Sequence, residues 1–274
     1  IVSNLMYIYN LKQALNNFQF KLGVFNTCDF TLIDNLYFFA KKFTFIVAPQ
    51  NYISLQLFKV SFFLARLNAR IVERIDSYKF SREVYLKIKE DIDEYERNHR
   101  DGGPLVGSRI FFFKLLNFHN LIDKFNKISD ILLWKTNSSS NYEWYKRIRN
   151  NVESNTFDFI DTYDFIMKLK KEIGNSNETE LKELIQYSDQ IIWQINEIQD
   201  PSENIYPDEK LHGFSIYLPE YQYGIGAHYD SYKKEFPEIN KKIKWYNFME
   251  VIVKRTKRND FISHIIKKIV SLFR

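Results

Sequence analysis

The chain has 274 residues, 45% of them hydrophobic and 17% aromatic, enough apolar side chain for one large domain or two small ones with a sizeable core. Its 39 basic and 34 acidic residues leave a formal charge of +5 and are interspersed rather than gathered in a stripe, which speaks against nucleic-acid binding. A single cysteine, Cys28, excludes an internal disulfide, no CxxC or paired-histidine spacing offers a zinc site, and no apolar run reaches the roughly 18 residues that a membrane span needs.

In chain order, KLGVF at 21–25 is a short β-favouring run stopped by Asn26-Thr27-Cys28-Asp29, after which Leu32, Ile33, Leu36, Phe39 and Ala40 recur at helical spacing. Phe43-Thr-Phe-Ile-Val-Ala48, closed by Pro49, reads as a buried parallel strand. The Cys28 thiol therefore stands at the carboxyl end of a strand in a strand, helix, strand unit, where open α/β sheets hold their ligands. Residues 55–100 predict helix, with SREVYLKIKEDIDEYERN as a solvated amphipathic face, and DGGPLVGS at 101–108 is a loop. IFFFKLLNFHNLIDKFNKISDILLW, 110–134, predicts one long helix whose aromatic residues fill core. The polar stretch 137–141 is a second loop, FDFIDTYDFIMKLKKEI is a short extended piece running into a helix, and helix continues over 178–198. Gly213-Phe-Ser-Ile-Tyr-Leu218, closed by Pro219, predicts another strand. At the end, Ile265, Ile266, Ile269, Val270 and Phe273 share one helical face, so 253–274 reads as a basic amphipathic terminal helix or tail.

VFNTCDF with its following helix and FIVAP, then FDFIDTYDFIMKL, HGFSIYLP and KWYNFMEVIV, resemble in order the segments of the clostripain family of cysteine peptidases. In that family a strand ends in an Asp-Ala-Cys-Leu-Met type motif and is followed by a helix and a strand ending in Ala-Ser; the later segments match its "IDLYDF" piece, its "GLSIYFP" strand and its closing helix. The resemblance runs over about residues 17–252. It implies an α/β, caspase-like fold for 1–252, with a mostly parallel sheet flanked by helices and a large helical portion. It also implies a cysteine-type endopeptidase acting on a peptide or protein through a Cys-His dyad, without a cofactor, in an exported or cell-surface protein. Cys28 takes the position of the nucleophile. A thiol between a strand and a helix amino end sees unpaired amides and a positive dipole, which favour the thiolate and can supply an oxyanion hole.

The chain also departs from the family pattern. No histidine precedes Cys28; His99, His119, His212, His228 and His264 all follow it, and His212-Gly213 reads as a structural entrance to its strand. Family members are cut between the His strand and the Cys strand, and the His-bearing light chain stays bound. A chain opening on Ile1 resembles the Cys-bearing heavy chain, or an amino-terminally truncated member, and the resemblance implies a His-bearing partner segment. Asn26 replaces the Asp that helps form an acidic pocket for Arg or Lys substrates, and an amide cannot offer the same charge-assisted pairing. Asp29-Phe30 replace Leu-Met, Pro49-Gln50 or Asn51 replace Ser-Glu, and YISLQLFKV lacks the expected Gly-Trp loop. The resemblance thus implies Asn26 and Asn51 as substrate-binding positions. These changes support an alternative, a catalytically degenerate caspase-like domain that binds a partner. A third reading is an all-helical binding protein with a buried cysteine, which a parallel sheet containing 21–26, 43–48 and 213–218 would exclude. Asp158, Asp161 and Asp164 are explained by helix capping and solvation, and no metal is assigned to them.

Overall fold

The structure, a computed structural model, describes residues 11, 13–15, 17–25, 30–50, 76–98, 109–138, 143–152, 159–173, 182–183, 185–190, 212–218, 229, 233 and 241–254. The opening unit follows the sequence pattern. Strand β1 (Phe20–Val24) leads through helix α1 (Ile33–Phe39) to strand β2 (Phe43–Pro49), and the two strands pair in parallel, with Phe20 opposite Phe43 and Val24 opposite Val47. β2 is the central strand and is buried along nearly its whole length. Such two-sided burial is why it reads as an unbroken apolar run rather than an alternating one.

Its second neighbour corrects an expectation. The segment read as one helix over 110–134 begins instead with strand β3 (Ile110–Lys114), antiparallel to β2, followed by a 3-10 turn, Leu115–Asn117, and helix α3 (Phe118–Ser138). The reason lies in the run of four apolar residues. Ile110 and Phe112 join Phe45, Val47 and helix α2 (Ser77–Asn98) in a core on one face, while Phe111 and Phe113 join Ile46, Ala48, α1 and α3 in the core on the other. A run that fills two cores carries no helical period, whereas Phe118, Leu121, Ile122, Phe125 and Leu132, all buried, do.

The larger core continues beneath helix α4 (Glu143–Asn151), strand β4 (Phe159–Asp161), helix α5 (Thr162–Ile173) and strand β5 (Ser215–Tyr217), with β4 and β5 antiparallel. Trp245, in a closing helix over 245–254, is its hub: it packs on Phe125 and Phe165 and donates its indole N–H to the Tyr217 carbonyl at 2.8 Å. The α/β class expected of the sequence holds, with mixed pairing in the described strands: β1–β2 parallel, β2–β3 and β4–β5 antiparallel, and a parallel bridge from Leu32 to Ser215. The all-helical reading is thereby excluded. The terminal segment beyond Lys254 and most of 55–76 lie outside the described residues.

Candidate functional site

The carboxyl ends of β1 and β2 lie side by side, and the Phe25 amide donates to the Val47 carbonyl at 2.9 Å. Five positions later the chain returns to the same place, with the rings of Phe25 and Phe30 stacked 3.8 Å apart and Phe30 packed on Phe39. Thr31 accepts the Ser215 amide at 3.1 Å, and Asn35 donates its side-chain amide to the Phe30 carbonyl at 3.3 Å. Both flanks of the segment that carries Cys28 are therefore anchored at the carboxyl edge of the sheet. Cys28, Asn26 and Asn51 themselves lie outside the described residues. Helix α1 begins at Ile33, five positions after Cys28 in the sequence, with Thr31 and Leu32 engaged with Ser215.

Immediately beyond β2 sits a buried polar cluster that the sequence reading did not anticipate. The wholly buried Gln50 donates from Nε2 to Asp161 Oδ2 at 2.8 Å and to the Phe214 carbonyl at 3.0 Å, and it accepts the Gly213 amide at Oε1. Gly213 has φ of 97°, a left-handed conformation that most side chains disfavour and that turns its N–H toward Gln50. Asp161, also fully buried, accepts the Asp164 amide at 2.8 Å and so caps α5, as expected of this acidic stretch. The same carboxylate accepts the His212 amide at 2.6 Å and faces His212 Nδ1 at 3.1 Å.

The imidazole lies flat on the Tyr163 ring, 4.3 Å between centroids, with 35% of its side chain exposed. Burial works against its protonation, but the hydrogen bond and charge of Asp161, helped by Asp164 and opposed by Lys168, outweigh burial and raise its pKa above the ordinary 6.5. His212, read from the sequence as structural or incidental, thus faces a buried carboxylate with which it forms an ion pair when protonated. The signal for the cluster was present only as isolated letters, Gln50, Asp161 and His212, far apart along the chain. A shallow groove lined by Phe20, Lys41, Lys42, Thr44 and Leu116 lies at the opposite, amino-terminal ends of β1 and β2, away from this chemistry.

No family model matches the chain, and no curated protein matches it. Solved structures share its fold. A clostripain from Bacteroides thetaiotaomicron in complex with a peptide inhibitor is 12% identical, aligned over 88% of this chain and 93% of that one, with a TM-score of 0.50. A cysteine protease of B. fragilis is 15% identical over 87% and 93%, with a TM-score of 0.51. An inactive protease zymogen from Parabacteroides distasonis is 12% identical over 89% and 62%, with a TM-score of 0.43. The chain therefore has the caspase-like α/β fold of clostripain-type cysteine proteases.

Proposed function

We propose that this chain, sharing the clostripain fold, is the cysteine-bearing part of an endopeptidase in which Cys28 is the nucleophile. The observation that carries the reading is the position of VFNTCDF directly after β1, with both flanks anchored at the carboxyl edge of the sheet. In the reaction, the Cys28 thiolate attacks the scissile carbonyl carbon, and the resulting oxyanion is held by backbone amides. A histidine that took the thiol proton returns it to the leaving amine, and water then hydrolyses the thioester to release the acid and restore the thiol. In the family layout that the chain resembles, the dyad histidine lies on the strand before the cysteine strand, and this reading assigns it to a His-bearing partner segment. The placement of β1 supports this. Among the described strands it stands at the edge of its sheet, none of them pairs with its outer side, and Phe18 and Phe20 are exposed. An open edge of this kind accepts another strand.

The deciding experiment is mass spectrometry of the full gene product after exposure to activated-ester or chloromethyl-ketone peptides. An adduct on Cys28 that is lost in Cys28→Ala is the expected result. A folded protein that takes no adduct from basic, acidic or apolar probes overturns the reading.

One observation favours the degenerate, partner-binding alternative. Where the family carries Ser-Glu after the second strand, Gln50 is turned fully inward and engaged by Asp161, Gly213 and Phe214, so its side chain cannot serve a substrate.

A further inference from the structure

Gln50, Asp161 and His212 meet where the β4–β5 pair abuts the carboxyl end of β2, and the cluster combines a wholly buried carboxylate with an imidazole that solvent can reach. We propose that this cluster is a proton-controlled clamp: protonation of His212 locks the β4–β5 pair against the end of β2, and deprotonation loosens that joint.

The argument begins at Asp161. Among its described partners, the Gln50 amide and the backbone N–H groups of Asp164 and His212 supply dipoles, and the imidazolium brings a full opposite charge. On the Asp161 side, which water does not reach, that charge counts for more than at the surface, although the solvent-facing edge of the imidazole screens it in part. With His212 protonated, the pair is neutral and Nδ1–H donates a charge-assisted hydrogen bond. With His212 neutral, the buried negative charge is held by dipoles and the α5 amino end alone.

The effect is transmitted by Gln50. The Asp161 oxygen that it contacts, Oδ2, also accepts the His212 amide, while the other end of the same side-chain amide receives Gly213 N–H. Movement at Asp161 is therefore felt by both β2 and β5. Among the described residues, the charged groups whose fields reach the imidazole are Asp161 on β4 and Asp164 and Lys168 on α5; the titratable ring of Tyr163, also on α5, stacks on it, and the neutral Gln50, just beyond β2, shares its carboxylate. Because the two carboxylates prevail over burial and Lys168, the clamp is closed on the acidic side and opens as pH rises past the elevated His212 pKa. This inference goes beyond the peptidase reading and stands without it.

Amide hydrogen exchange of the full chain, corrected for intrinsic rates, tests it on peptides spanning 159–164 and 212–218. On going from pH 6 to pH 8.5, wild-type protection there is expected to fall severalfold, because the raised His212 pKa makes the folded joint bind its proton more tightly than the opened one. The dependence is expected to vanish in His212→Gln. Protection that is the same at both pH values in the wild type, or a dependence that survives in a folded His212→Gln, overturns the clamp. If the variant does not fold, nuclear magnetic resonance of the wild type decides: the Gln50 side-chain amide is expected to titrate together with the His212 ring. A His212 titration that leaves the Gln50 amide unmoved overturns the proposal. None of these readouts requires peptidase activity, so a failure of the clamp and a failure of the peptidase assignment are separately visible.

Discussion

Gln50 ties together, from one buried side-chain amide, a carboxylate on β4 and the backbone on the approach to β5. Replacing it by Ala leaves the Gly213 amide without its acceptor in a place water does not reach, and leaves Asp161 Oδ2 with the His212 amide as its remaining donor. An orphaned buried group costs about 1–3 kcal/mol, so Gln50→Ala is expected to destabilise the fold by about that amount in urea denaturation. A loss within experimental error of zero would mean that the amide is not engaged as described. Asn26 belongs to the same scale but rests on the proposed function. If that position borders the substrate pocket, Asn26→Asp restores a carboxylate that can pair with a basic side chain. The rate of Cys28 labelling by a lysine- or arginine-bearing probe is then expected to rise by about tenfold, while labelling by an apolar probe stays unchanged. Equal rates for both probes in both proteins would remove Asn26 from the pocket.

At the scale of elements, the strand, helix, strand opening was legible because each piece has a short-range signature: an apolar run, a helical period and a proline stop. Gly23 shows how tightly that unit closes. A Cβ at this position would lie 2.6 Å from Phe25 Cε2 and 2.9 Å from Phe43 Cδ1, so the rings would have to shift within a packed aromatic cluster. Gly23→Ala is therefore expected to lower stability by about 1–3 kcal/mol, measured as a lower denaturation midpoint. An unchanged midpoint would show that the rings relax freely. The IFFFK segment was illegible for the opposite reason. Four consecutive apolar residues fit a buried strand and a helix core equally well, and only pairing with β2 across the register Val47 to Phe112 decides between them.

For the whole molecule, the joint between the two sheets gives stability a defined pH dependence. His212 has a raised pKa in the folded chain, so it binds its proton more tightly folded than unfolded. Its contribution is fully present below the ordinary value of 6.5 and is lost as pH rises through the elevated folded value. The denaturation midpoint of wild type is expected to exceed that of His212→Gln by a larger margin at pH 6 than at pH 8.5, with the two curves converging on the alkaline side. A margin that is constant across this range would assign His212 a packing role alone. The other resolved shifts, at Lys87, Glu90 and Glu250, come from surface pairs within or between helices and are screened by solvent.

By itself, the sequence determined the α/β class, the β1–α1–β2 unit, the strand at 215–217 and the location of the lone thiol between a strand and a helix. All of these depend on neighbours within a few residues along the chain. The polar cluster was decided only by tertiary structure, because Gln50 meets Asp161 across 111 positions and Asp161 meets His212 across 51. No local period encodes such a meeting. The same holds for β3, whose identity depends on two cores closing on either side of it, and for Asp161, whose capping role was readable but whose ion pair was not. Local physics selects the elements; burial of polar groups far apart in the chain selects how those elements are joined.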